Sequence, residues 1–120
     1  RPHSPMTEDE VLAEFRSCHA LLEGHFLLSS GRHSAYYLQC ARVLMNPERA
    51  SRLAIAMVQK MPRDLRSQID KVVSPAMGGI IIGHEAGRAL DKDAIFLERP
   101  EGTFELRRGF DLKEGDKVLM

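Results

Sequence analysis

The stretch "VVSPAMGGIIIGHEAGRAL", residues 72–90, constrains the fold of this 120-residue chain more than any other segment. Two β-branched residues run into Ser-Pro, a Gly pair follows, and apolar residues then recur at helical spacing as far as Leu90. Lys71, Val72 and Val73 read as a short strand, and residues 79–90 read as a helix. A second strand of the same kind, residues 94–98, follows directly. Strand, loop, helix and strand in that order form a βαβ unit, which builds parallel sheets and puts the chain in the α/β class. The length allows one domain with a modest core.

Other elements can be placed around this unit. Thr7-Glu8-Asp9-Glu10 fits a capping box, with Thr7 as N-cap and Glu10 reaching back to it. Val11, Leu12, Phe15, Cys18 or His19, and Leu22 then fall on one helical face, and Gly24 is expected to end the helix. "HFLLSSGRHSAYYLQCA", residues 25–41, has two apolar and aromatic runs flanking a Gly-containing turn, which predicts a β-hairpin or extended arm. Asn46-Pro47 opens a further helix, with Leu53, Ala54, Met57, Val58 and Met61 as its buried stripe and Pro62 as its stop. Residues 99–114 are polar, charged and Gly-containing, which predicts a long excursion or hairpin, and Lys117 begins another apolar strand. "RPHSP", residues 1–5, precedes Met6 without apolar pattern and is set apart as a non-native or disordered leader. That leaves residues 6–120 as a single domain.

Charge narrows the classes of partner. Seventeen basic side chains balance 17 acidic ones, so bulk electrostatics give no reason to bind nucleic acid or an anionic membrane. No apolar run approaches the roughly 20 residues needed to span a bilayer. Cys18 and Cys40 follow no CxxC or metal-ligand spacing, and read as buried thiols of a reducing compartment, the cytoplasm. His25, His33 and His84 show no paired spacing that suggests metal ligands, and read as surface or satisfied core histidines.

Three segments could carry chemistry. "SPAMGG", residues 74–79, lies between strand and helix, where backbone N–H groups and the helix dipole attract phosphate. A plain βα turn, with Gly supplying positive φ and Pro stiffening the exit, fits the same residues. The segment is neither GxGxxG nor a P-loop. "LERPEGTFELRRGF", residues 97–110, brings Arg99, Arg107 and Arg108, whose planar guanidinium groups suit phosphate or carboxylate. The alternative is a solvated hairpin in which Glu98, Glu101 and Glu105 partner the arginines. "SSGRHSAYY", residues 29–37, could hold a flat heterocycle by stacking and hydrogen bonding, or its tyrosines could simply cover the core.

Taken together and in this order, "GHFLLSSGRHSAYYLQCARVL", "VVSPAMGGIIIGHEAGRAL", "AIFLERPEG", "LRRGF" and "GDKVLM" resemble the orotate phosphoribosyltransferase family over residues 21–120. The "LSSG" and "LRRGF" segments favour a bacterial subgroup. The resemblance implies a partial type I phosphoribosyltransferase fold, a parallel sheet with flanking helices and an N-terminal helix/hairpin hood. It implies transfer of phosphoribosyl from 5-phosphoribosyl-1-diphosphate to orotate, giving orotidine 5′-monophosphate and pyrophosphate in pyrimidine biosynthesis. Mg²⁺ would be bound mainly through the diphosphate substrate, with no protein metal ligand, and the enzyme would be a homodimer.

By position, Ala76, Met77, Gly78 and Gly79 match the family's diphosphate loop, and the resemblance implies a non-proline cis peptide at Ala76–Met77. Arg99 matches an arginine that contacts the phosphates. Arg107 and Arg108 fall in the segment resembling the mobile catalytic loop, and Ser30, Gly31, Tyr36 and Tyr37 in the orotate-side wall. Lysines that some members carry where Ser29 and Gly78 stand are absent here. The family's ribose-phosphate motif, an acidic pair and a Thr/Gly-rich loop, would follow the strand begun at Lys117 and is not among these residues. The chain is therefore expected to be an N-terminal portion that turns over slowly or not at all alone. Three other readings stay open: a non-catalytic nucleotide- or phosphate-binding relative, a phosphoribosyltransferase for purine bases, and an α/β fragment without ligand.

Overall fold

The computed structural model describes residues 6–120, so the leader set apart above lies outside the described residues. The described residues divide into two compact units, residues 6–49 and 50–120.

In the first unit, helix α1 (Glu8–Ser17) starts on the expected capping box. The Glu10 N–H donates to Thr7 Oγ1 at 3.2 Å, and the Thr7 N–H donates to Glu10 Oε1 at 3.1 Å. The helix ends well before Gly24, which corrects the expected stop. His19 takes a left-handed conformation (φ 59°) and donates to Arg16 O, while Ala20 donates to Phe15 O. These two bonds form a Schellman closure, which usually takes Gly but here takes His. Leu22 and Gly24 consequently belong to a strand. β1 (Leu21–Leu27) pairs antiparallel with β2 (His33–Leu38), the predicted hairpin, with a bulge between Glu23 and Phe26. A short helix not foreseen in the sequence, α2 (Cys40–Leu44), follows and buries Val43.

Helix α3 (Pro47–Gln59) opens as expected, with Asn46 Oδ1 accepting from the Arg49 N–H at 3.1 Å. Its buried positions are Ala50, Ala54, Ala56 and Val58. Small residues, not the expected Leu53, Met57 and Met61, make the tight face, and Met57 stays 42% exposed. Pro62 then caps a single turn, α4 (Arg63–Arg66).

The second unit is built on a four-stranded sheet in the order β5-β4-β3-β6. β3 (Lys71–Pro75) and β4 (Asp93–Glu98) are parallel, joined by α5 (Ile80–Leu90), so the predicted βαβ unit is present. β6 (Val118–Leu119) adds parallel to β3. Asp70 fixes that addition, since its N–H donates to Lys117 O at 2.7 Å and its Oδ2 accepts from the Lys117 N–H at 2.9 Å. β5 (Glu105–Leu106) pairs antiparallel with β4, so residues 99–104 form a hairpin connection and the sheet is mixed. Val58, Val72 and Ala86 form the core cluster, with Leu90, Ala94 and Leu119 packed on it. α5 approaches the strands closely through Gly83 and Gly87. A Cβ on Gly83 would lie 2.7 Å from Ser74 Cβ, and one on Gly87 would lie 2.8 Å from Lys92 O.

Candidate functional site

β3 and β4 end level with each other, because Pro75 pairs with Leu97 in the parallel register. Whatever follows them therefore emerges at one edge of the sheet. Residues 76–79 leave β3 there, Arg99 leaves β4 there, and the β4–β5 connection turns there. The Ala76 N–H donates to Leu97 O at 2.7 Å and ties the first loop to the second strand. In parallel α/β folds this carboxyl edge is where ligands bind.

The loop divides its labour between its residues. The N–H groups of Ala76 and Gly79 are already used, on Leu97 O and on Pro75 O at 2.9 Å. Among the described hydrogen bonds, those of Met77 and Gly78 have no protein acceptor, so the donors left for a ligand are these two. The Ala76–Met77 peptide is cis, at the bond the resemblance singled out. The two glycines differ in function. A Cβ at Gly79 would lie 2.7 Å from Pro75 O, whereas one at Gly78 would meet nothing within 4 Å. Neither has positive φ, which corrects the plain-turn explanation: Gly79 sits at φ −91° and is required for space. α5 begins at Ile80 without a side-chain cap, so its positive end faces the same edge.

The arginines are placed unequally. Arg108 makes a two-pronged pair with Glu98, Nε to Oε2 at 2.9 Å and Nη2 to Oε1 at 3.0 Å. The Arg108 guanidinium hydrogen bond is the main reason the Glu98 carboxyl titrates below its ordinary value, and the charges of Arg108 and Arg107 add to it. The same bond pushes Arg108 upward. Arg108 also leans over the Phe96 ring, 5.9 Å from its centre, and Phe96 meets Phe110 edge-on at 5.1 Å. Arg99 stacks over Phe104 at 4.9 Å. Among the described residues neither Arg99 nor Arg107 makes a hydrogen bond or salt bridge to a carboxylate, although the Arg107 charge acts on Glu98, so neither guanidinium is tied up as that of Arg108 is. The solvated-hairpin alternative thus holds for one arginine, Arg108, through Glu98.

Ser30, Gly31, Tyr36 and Tyr37 belong to the first unit. Ser30 and Gly31 lie in the turn closed by Leu28, whose O accepts from the Gly31 N–H at 2.9 Å and whose N–H donates to Arg32 O at 2.8 Å. The Tyr37 ring rests against Phe26 with centroids 5.8 Å apart, and Tyr36 is 55% exposed. The tyrosines therefore do not disappear into a core.

Two expectations from sequence need correcting in this unit. Both cysteines are free, but Cys40 is exposed and Cys18 only half-buried. His25 and His33, without any suggestive spacing, are brought together across the hairpin. Only the five-residue turn plus the bulge makes them neighbours, and neither was legible as a number of intervening residues.

Glu98 is paired with Arg108, and among the described residues no group of three or more His, Cys, Asp or Glu could hold a metal ion. A cavity of about 580 Å³, lined by His84, Arg88, Lys92 and Phe110 among others, includes none of the predicted site residues.

No family model matches the chain. Curated relatives do match. The orotate phosphoribosyltransferase of Erythrobacter litoralis is 76% identical over 115 residues, 96% of this chain and 60% of that protein. That of Novosphingobium aromaticivorans is also 76% identical over 115 residues, 96% of this chain and 59% of that protein. Among solved structures, orotate phosphoribosyltransferase from Aeropyrum pernix superimposes with a TM-score of 0.65 at 23% identity, over 81% of this chain and 56% of that one. Leishmania donovani UMP synthase does so with a TM-score of 0.68 at 18% identity, over 95% of this chain and 24% of that one. The resemblance read in the sequence is borne out, and the fold is the α/β fold of these transferases. The chain spans about 60% of the length of the curated relatives it matches.

Proposed function

We propose that this chain is part of an orotate phosphoribosyltransferase and supplies the side of its active site that receives the departing pyrophosphate. The observation that carries the reading is the meeting of the Met77–Gly78 backbone donors, the α5 N-terminus and Arg99 at the carboxyl edge of β3 and β4. In the proposed reaction the bond between the anomeric carbon and the diphosphate oxygen breaks while orotate nitrogen bonds to that carbon. Negative charge grows on the diphosphate as it leaves. The Met77 and Gly78 N–H groups would donate to that charge from backbone set before reaction, and Arg99 would turn its guanidinium toward it from Phe104. Arg107 and Arg108 would act from the flanking segment, Arg108 after exchanging Glu98 for the phosphates. Mg²⁺, when bound, would neutralise diphosphate charge, held mainly through that substrate.

Ser30, Gly31, Tyr36 and Tyr37 are the proposed contacts to the orotate ring, through hydroxyl, amide and aromatic face. We further propose that the enzyme is homodimeric. A cytoplasmic location agrees with two free cysteines, one of them exposed. Among the described residues no helix is long and apolar enough to cross a membrane.

The experiment is calorimetry and an orotate-consumption assay with 5-phosphoribosyl-1-diphosphate and Mg²⁺. Donor binding with orotate but not hypoxanthine binding supports the proposal, with slow turnover by these 120 residues alone. Hypoxanthine binding without orotate binding overturns the base assignment, and turnover at the rate of a full-length relative overturns the proposed division of the site.

A further inference from the structure

His25 Nε2 and His33 Nδ1 face each other at 2.7 Å, with the rings edge to face and centroids 4.8 Å apart. The β1 bulge turns His25 toward β2, and both side chains stand in solvent on the hairpin. We propose that this pair is a binding site for a divalent transition-metal ion of the Ni²⁺ or Cu²⁺ type, independent of the diphosphate edge. Imidazole nitrogen is a good ligand for both ions, and both favour ligands at right angles. With metal–nitrogen bonds of about 2.0–2.1 Å, two such nitrogens sit about 2.9 Å apart. The observed 2.7 Å is about 0.2 Å short of that spacing, and each exposed ring has to swing so that its lone pair points off the nitrogen–nitrogen line to the shared metal.

Protons balance without an external acceptor. In the metal-free neutral pair, one facing nitrogen carries the proton and the other accepts it. On binding, that proton moves to the outer nitrogen of its own ring, and both facing lone pairs reach the metal. Water fills the other positions. Because the ligands come from β1 and β2 on either side of the 28–32 turn, the ion closes the hairpin that carries Ser30 and Gly31.

Ni²⁺ titration by calorimetry, in a buffer that does not chelate metal, tests the site. The wild-type chain is expected to bind one Ni²⁺ at this pair, weakened roughly tenfold or more by His25→Ala and by His33→Ala. His84→Ala and Cys40→Ser should leave it unchanged. Circular dichroism checks that each variant is folded, and added Ni²⁺ should raise the unfolding temperature of the wild type but not of His33→Ala. Absence of saturable binding, or equal binding by wild type and both hairpin variants, overturns the proposal.

Discussion

At the residue scale, the Gly pair separates into a member that packing requires and a member that packing leaves free. Gly79→Ala drives a Cβ to 2.7 Å from Pro75 O and should cost about 1–3 kcal/mol in chemical denaturation. Gly78→Ala meets no protein atom, so stability should change by less than about 0.5 kcal/mol while diphosphate affinity falls. Equal stability losses in the two variants would contradict this division. The sequence shows that the pair matters but not which member does what, because the distinction depends on where the Pro75 carbonyl points. Glu98 supplies a pH prediction. Its carboxyl is held below the ordinary value by Arg108, so its contribution is present above the usual Glu pKa of about 4.3 and lost as pH falls through the lowered folded value. NMR titration of the Glu98 carboxyl should give a lower midpoint in wild type than in Arg108→Ala, and equal midpoints would refute the pairing.

At the element scale, α5 is defined by what it lacks. Gly83 and Gly87, one turn apart, let its backbone settle against Ser74 and Ala94. Gly83→Ala should lower stability by about 1–3 kcal/mol, read as a reduced urea midpoint. An unchanged midpoint would mean the helix can lift off at no cost. At the other end of the chain, Thr7→Ala removes half of the capping box and should cost about 1 kcal/mol. Helix starts were legible because caps are local chemistry: Thr7 and Asn46 both do what their sequence suggests. Helix ends were less so. The α1 stop at His19 is a backbone conformation normally announced by Gly, and the Gly that is present, Gly24, serves a strand instead. The alternation of β3 and β4 with α5 was readable from hydrophobic period, whereas β5 was hidden in a charged segment. Its two residues are held by pairing with Leu97 and Glu98, not by any propensity of their own.

At the scale of the whole molecule, parallel pairing of β3 with β4 is what turns separate sequence segments into a site. It brings residues 76–79 and Arg99 to one edge even though about 20 residues of helix and strand lie between them, as the crossover of a βαβ unit requires. Order along the chain was enough to suggest this edge, since the segments of a crossover unit can meet in few other ways. Glu98 was legible as a partner for the arginines, but not that Arg108 would be the one to take it, since that follows from how β5 folds back on β4. The residues proposed for the base side lie in the other unit, so their part is tested separately by orotate binding. The central claim is that the Met77–Gly78 donors and Arg99 cradle a diphosphate, and calorimetric titration of 5-phosphoribosyl-1-diphosphate with Mg²⁺ into wild type and Arg99→Ala tests it most directly. The prediction is saturable binding by the wild type, weakened roughly tenfold or more in the variant, as expected for loss of a charge-assisted contact. Equal affinity in the two proteins, or no saturable binding by the wild type, would contradict it.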